Sequence, residues 1–210
     1  MTEKGPPRSK LREVRILVWI IVLLAIAGTA ALLLVQRVTV HPPQATTSGS
    51  ASSNFGGPFT LVGADDKPFA SARLAGKPYA IYFGFTRCGD VCPTTLSRMV
   101  KLRNQAGGAT KFNIVFVTID PAHDGPREVG QYATLFNSPI IGLTGSAQQI
   151  DQVKKQYGIY AEPSPHPMPG KEMMHSAIVE LFDRDGNFVA SIAPDESDAD
   201  ALAKLEKLVA

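Results

Sequence analysis

The chain has 210 residues, 44% of them apolar, and a formal charge of only +2. That length holds one domain of ordinary size plus appendages. Near-neutrality gives no electrostatic reason for a nucleic-acid partner, and none is expected.

The first element is "VRILVWIIVLLAIAGTAALLLV", Val14 to Val35, with no charge after Arg15. The 20 uncharged residues from Ile16 match the thickness of a hydrocarbon core. A cleaved signal peptide has a shorter apolar region and a small-residue site, whereas "GTAALLLV" stays hydrophobic. The spacing therefore predicts an uncleaved transmembrane anchor over 16–35. Lys4, Arg8, Lys10, Arg12 and Arg15 precede it against Glu3 and Glu13, while only Arg37 follows closely. The positive-inside rule then makes 1–15 a cytoplasmic tail and places everything after the span in the periplasm or its extracytoplasmic equivalent. Residues 36–57, with "HPPQATTSGSASSNFGG", lack apolar periodicity and read as a flexible linker with a reach of roughly 25 Å. His41 in it is a solvated side chain.

From 58 to 210 strand-like and helix-like segments alternate. "FTLVG", "ADDK" and "PFA" predict a hairpin, and "YAIYFGF" (Tyr79 to Phe85) a buried strand. A helix follows with Pro93 in its first turn and runs to Gly107 and Gly108. "FNIVFVTID" is a second buried strand, "GPREVGQYATLF" a second helix, "IIGLTG" a short strand, and "SAQQIDQVKKQYG" a helix capped by Ser146. "HSAIVELFD" and "FVASIAP" flank a turn, and "SDADALAKLEKLVA" is an amphipathic C-terminal helix. Buried strands alternating with helices, with a cysteine pair at one helix start, predict an α/β domain of thioredoxin-like fold with an N-terminal hairpin extension.

The chain's two cysteines, Cys88 and Cys92 in "YFGFTRCGDVCP", are compatible with a structural disulfide, a redox pair or a metal clamp. So short a loop constrains little of the unfolded chain, and i, i+4 positions on a regular helix are too far apart for a disulfide. Metal is more forgiving of that separation, and reversible oxidation stays open if the first turn is irregular. A helix N-terminus favours thiolates for either use. Asp90 reads as the cap of that helix, and Arg87 as a loop cation that adds to thiolate stabilisation or is merely solvated. Two thiolates select Cu(I) or Zn and want a further ligand. Of the histidines, His41 lies in the linker, His123 follows the second buried strand, and His166 lies in the Pro-rich loop 162–174. His175 opens a strand and is the foremost candidate. Met168, Met173 and Met174 are gap-fillers rather than ligands.

"YFGFTRCGDVCP", "VTIDPAHDGP", "KKQYGIYAEP" and "MMHSAIVELFDRDGNFV" together, in this order, resemble the SCO/SenC family of membrane-anchored copper proteins for cytochrome c oxidase assembly. The resemblance implies copper, as Cu(I) or Cu(II), bound by Cys88, Cys92 and His175. It also implies delivery of copper to the dinuclear copper site of the oxidase's outward-facing subunit, or reduction of that site's thiols, with other copper chaperones as further partners. Asp120 is implied near the site. Three positions depart from the family pattern: Gly89 stands where proline is common, His123 where a basic residue is, and "KEMM" lacks the acid usual before the histidine. The alternative is a membrane-tethered thiol-disulfide oxidoreductase with Cys88 and Cys92 catalytic, but its usual motif is one residue shorter. A peroxiredoxin fits less well, because Thr86 is misplaced for its T-x-x-C motif. A purely structural binding module leaves the cysteines and His175 unexplained.

Overall fold

A computed structural model describes residues 18–20, 23–24 and 55–210. Two compact units divide at Ala51 and Ser52. The first contributes only five described residues, all helical; the rest of the expected anchor 16–35, the tail 1–15 and the linker up to residue 54 lie outside the described residues. No helix among the described residues is long and apolar enough to cross a membrane.

The second unit, Ser52–Ala210, has its own core. Its packing starts three residues ahead of Pro58. Phe55 stacks on Phe182 at 6.5 Å and meets Phe188 edge-on at 4.7 Å, and the Gly56 N–H donates to the Gln156 carbonyl at 2.8 Å. The strands β1 (Thr60–Gly63) and β2 (Pro68–Ala70) form the expected antiparallel hairpin. β3 (Tyr79–Gly84), β4 (Asn113–Thr118) and β5 (Ile141–Thr144) are mutually parallel, with β4 in the middle. The terminal hairpin, β8 (Val179–Phe182) and β9 (Phe188–Ile192), joins antiparallel on the far side of β3. The sheet order is β2-β1-β5-β4-β3-β8-β9. β3 is flanked on both edges and buried at all six positions, which is why its sequence is a continuous apolar run rather than an alternation.

Each helix start was legible in sequence. α1 (Val91–Gln105) carries Pro93 in its first turn, and α2 (Pro126–Thr134) begins on proline, whose missing N–H would be unpaired there anyway. α3 (Ala147–Gln156) opens with a capping box: Ser146 accepts from the Gln149 N–H while Gln149 reaches back to the Ser146 N–H. Ile150 and Val153 of α3 are buried as the periodicity predicts. Ser197 caps α4 (Asp198–Val209), which packs on α1 and β9. Parallel strands followed by an antiparallel hairpin, with a helix after β3, form a thioredoxin-like fold to which β1 and β2 add a hairpin beside β5. The C-terminal ends of β3 and β4 lie level, since Gly84 pairs with Thr118, so the loops that follow both strands share one edge of the sheet.

One expectation is corrected. His175 does not open the core strand. It ends β7 (Met173–His175), which pairs with β6 (Ala161–Pro163) in a separate two-stranded sheet, and the core strand starts four residues later at Val179. The Pro-rich stretch 162–174 is thus the tip of an arm built by this small ladder. A Pro-rich sequence hides the ladder because β6 ends on Pro163 and both strands are three residues long.

A second feature of β8 is energetic. Glu180 is 4% exposed, its Oε2 accepts no hydrogen bond among the described residues, and burial pushes its carboxyl up to about 8. The unfolded carboxyl ionises near 4.3, so raising pH from there to 8 progressively favours the unfolded state. Glu180→Gln is expected to be neutral at pH 4 and to raise stability by about 2 kcal/mol at pH 8, after discounting for water reaching the group. Urea melts across pH check this, and a gain as large at pH 4 as at pH 8 refutes it.

Candidate metal centre

Cys88 lies in the loop between β3 and α1, and Cys92 lies in the first turn of α1. Cys88 is therefore off the helix, and the i, i+4 separation that argued against a disulfide does not apply to it. Both cysteines are free and buried, at 7% and 0% exposure. The Cys88 sulfur accepts the Cys92 backbone N–H at 3.3 Å, so it sits on the unpaired amides of the helix start. Asp90, expected to cap this helix, makes no side-chain cap bond; the sulfur takes that place. Donation from the Cys92 thiol is the main cause that holds Cys88 down to about 4, opposed by burial and helped by His175 and by the Asp90 and Cys92 amides. Cys92 is pushed up, first by that same hydrogen bond and then by burial. The two thiols are pushed in opposite directions, so they share a proton and Cys88 is the readier thiolate.

The β6–β7 arm brings the third group. His175 Nε2 lies 3.6 Å from Cys92 Sγ, and the sulfurs and this imidazole all lie within 4.8 Å of one another. His175 Nδ1 is 3.0 Å from the Ser176 carbonyl, which can only accept, so Nδ1 carries a proton and Nε2 is the nitrogen turned toward the thiols. Tyr82 and Phe85 stand edge-on to the ring at 6.2 and 6.0 Å. Metal–sulfur and metal–nitrogen bonds of about 2.3 and 2.0 Å place three donors around one ion roughly 3.7 to 4.0 Å apart, so this cluster closes on one ion with shifts of at most about 1 Å. Cys88 and His175 face a cleft of about 470 Å³ also lined by Met168 and Met174, whereas Cys92 lies behind them.

Sequence reasoning missed what positions this loop. Asp124 is fully buried and accepts from the Thr86 N–H at 2.9 Å, from the Thr86 hydroxyl at 2.5 Å and from the Thr118 hydroxyl at 2.6 Å. It thereby ties the residue two before Cys88 to the end of β4. Gly84 was also missed: a Cβ there would lie 2.9 Å from Cys92 Sγ, so only glycine leaves that sulfur its seat. Neither residue carries a local signal, because each is defined by what another strand or helix places beside it. His123 is not a member of the cluster; its side chain is 57% exposed and its Nδ1 pairs with Asp120 at 2.9 Å. Asp120 lies beside the loop as expected, and Arg87 pairs with it at 2.7 Å instead of being simply solvated. His166 lines the cleft without joining the three donors.

Two thiols and an imidazole, gathered where the cysteine helix of a thioredoxin-like fold begins, define a thioredoxin-like protein with a three-donor soft-metal cluster. The chain belongs to the SCO1/SenC family, whose family model matches residues 47–210. It is 35% identical to a SCO2-like protein of Rickettsia conorii over 85% of this chain and 90% of that one. It is 31% identical to the mitochondrial SCO2 protein of Saccharomyces cerevisiae over 90% of this chain and 65% of that one, so it spans a little under two thirds of the yeast relative's length. Among solved structures it resembles copper-bound ScoI of Bradyrhizobium japonicum, at 35% identity and a TM-score of 0.65 over 73% of this chain and 99% of that one. It also resembles copper-bound Sco1 of yeast, at 30% identity and a TM-score of 0.64 over 73% and 87%.

Proposed function

We propose that this chain is a copper metallochaperone that binds copper through Cys88, Cys92 and His175. It passes the ion to the dinuclear copper site of cytochrome c oxidase or prepares that site's cysteines. The observation that carries the reading is the convergence of two cysteine sulfurs and one imidazole nitrogen within 4.8 Å. Family membership and copper in solved relatives support copper over zinc. The donors suit the cargo: thiolates hold Cu(I), and the imidazole adds a ligand acceptable to Cu(II) as well. Cys88 offers a ready thiolate at the cleft, Cys92 gives up the shared proton, and the His175 arm supplies or withdraws the third donor. The apolar span 16–35 and its cationic N-terminal flank support a single-pass anchor in the inner membrane, with the domain working outside the cytoplasm.

Because one proton is held by the pair, Cu(I) uptake by the reduced chain at pH 7 is expected to release about one proton rather than two. Calorimetry in buffers of different ionisation enthalpy reads this number, and release of two shows that Cys88 is not a preformed thiolate.

One observation favours a second reading. A depressed Cys88 at the cleft backed by a protonated Cys92 is the order of an attacking and a resolving thiol. Cys88 thiolate would open a client disulfide and Cys92 would then displace the client, leaving a reduced client dithiol and a Cys88–Cys92 disulfide. The copper-loaded chain, mixed with a metal-free oxidase copper-subunit fragment, separates the two. Copper appearing on the fragment is the expected result; reduction of fragment disulfides with no copper movement supports the oxidoreductase instead.

A further inference from the structure

The geometry points to a latch formed by Arg87 and Gly89, the two residues that bracket Cys88. It seats the His175 arm on the cysteine loop and sets how fast metal leaves the site. The idea rests on the copper-binding reading above for its functional part, and on distances alone for the latch itself.

Two contacts of different chemistry reach the same arm from either side of Cys88. On one side the Arg87 guanidinium spans two carboxylates: its NH2 group meets Asp120 at 2.7 Å, and its NH1 group meets Glu172 at 3.6 Å. Asp120 follows β4 and belongs to the rigid sheet edge, whereas Glu172 belongs to the arm, three residues before His175. The guanidinium fork is suited to holding both at once. Glu172 faces the guanidinium through Oε1, while its buried Oε2 accepts no hydrogen bond among the described residues. On the other side, the Gly89 N–H donates to the Gly170 carbonyl at 3.1 Å. The two backbones touch: Gly170 has φ +79°, and a Cβ on it would lie 2.9 Å from the Gly89 nitrogen, so a side chain there would prop the arm away.

Among the described residues β6 and β7 pair with each other and with no strand of the seven-stranded sheet. The arm is therefore held to the body by side chains, Ala161 and Met173 against the core and the His175 ring against Tyr82 and Phe85, and by the two latch contacts. His175 is carried at the end of β7, so lifting the arm removes one of three donors while both sulfurs remain on the main fold. Arg87 and Gly89 are positioning residues, acting on the metal through His175. Both "KEMM" and C-G-D-V-C, which set this chain apart from the family pattern, supply partners of the latch: Glu172 in the first and the Gly89 N–H in the second.

A charge test distinguishes a latch from through-space electrostatics. Arg87→Ala removes a cation near Cys88 and Glu172→Gln removes an anion, so an effect of charge alone moves the two variants in opposite directions. A latch moves them in the same direction. The full chain is loaded with one Cu(I) and challenged with a Cu(I) chelator, and amide hydrogen exchange at Gly89 is followed in the metal-free chain. Arg87→Ala and Glu172→Gln are each expected to speed copper release roughly five-fold and to speed Gly89 exchange, with the double variant no faster than either single. Arg87→Lys restores part of the loss, and Gly170→Ala speeds release without any change of charge. Opposite shifts in the two charge variants, additive effects, or unchanged Gly89 exchange overturn the latch. If the wild-type chain takes up no copper, the functional reading fails, and exchange at Gly89 alone still decides the latch.

Discussion

Asp124→Ala is expected to lower the stability of the fold by about 3 kcal/mol, since three donors that converge on one buried carboxylate lose their acceptor. The Thr118 hydroxyl, fully buried, and the Thr86 N–H and hydroxyl, half-buried, would be left without their acceptor. The main-chain carbonyl of Asp124 accepts from the Thr144 hydroxyl at 2.6 Å, so the same residue also links the β4 loop to β5. The damage should extend to the site, because Thr86 leads directly into Arg87 and Cys88. Asp124→Asn keeps acceptor capacity and should lose less. Chemical denaturation gives the stability, and a loss below 1 kcal/mol for the alanine variant contradicts the role assigned to Asp124.

His175→Ala should behave in the opposite way, leaving stability nearly intact while weakening Cu(I) binding by at least about 100-fold, since loss of a direct donor exceeds the usual effect of losing a ligand's supporting bond. The separation of effects follows from place. His175 stands on the small β6–β7 ladder, and the seven-stranded sheet does not need it. Competition against a chelator of known affinity measures the loss, with thermal unfolding of the metal-free variant as control. Unchanged affinity would show that the imidazole is not a ligand.

What was legible in the sequence follows from the range of the interactions. Helix starts are written locally, so Pro126, Ser146 and Ser197 mark α2, α3 and α4 correctly. Continuous apolar runs mark β3 and β4 because both strands are covered on each side. Cys88, Cys92 and His175 were recognisable as candidates from residue type, helix position and resemblance, and the structure brings all three together across 83 residues between Cys92 and His175. The strand carrying His175 was misread because "HSAIVELFD" is continuously strand-like, whereas the chain leaves the β6–β7 ladder after His175 and enters the main sheet only at Val179. Asp90 has the residue type of a cap and stands at the cap position, but a neighbouring sulfur takes the helix amide. Asp124, Gly84 and the Arg87–Glu172 pair were invisible, because each depends on register between segments far apart in sequence.

The most direct test of the account is X-ray absorption on the full chain loaded anaerobically with Cu(I). The account predicts one copper per chain, with two sulfur scatterers at about 2.3 Å and one nitrogen scatterer at about 2.0 Å. Cys88→Ser and Cys92→Ser should each lose one sulfur, and His175→Ala the nitrogen. A first shell of oxygen and nitrogen only, or a shell unchanged by all three substitutions, would contradict it.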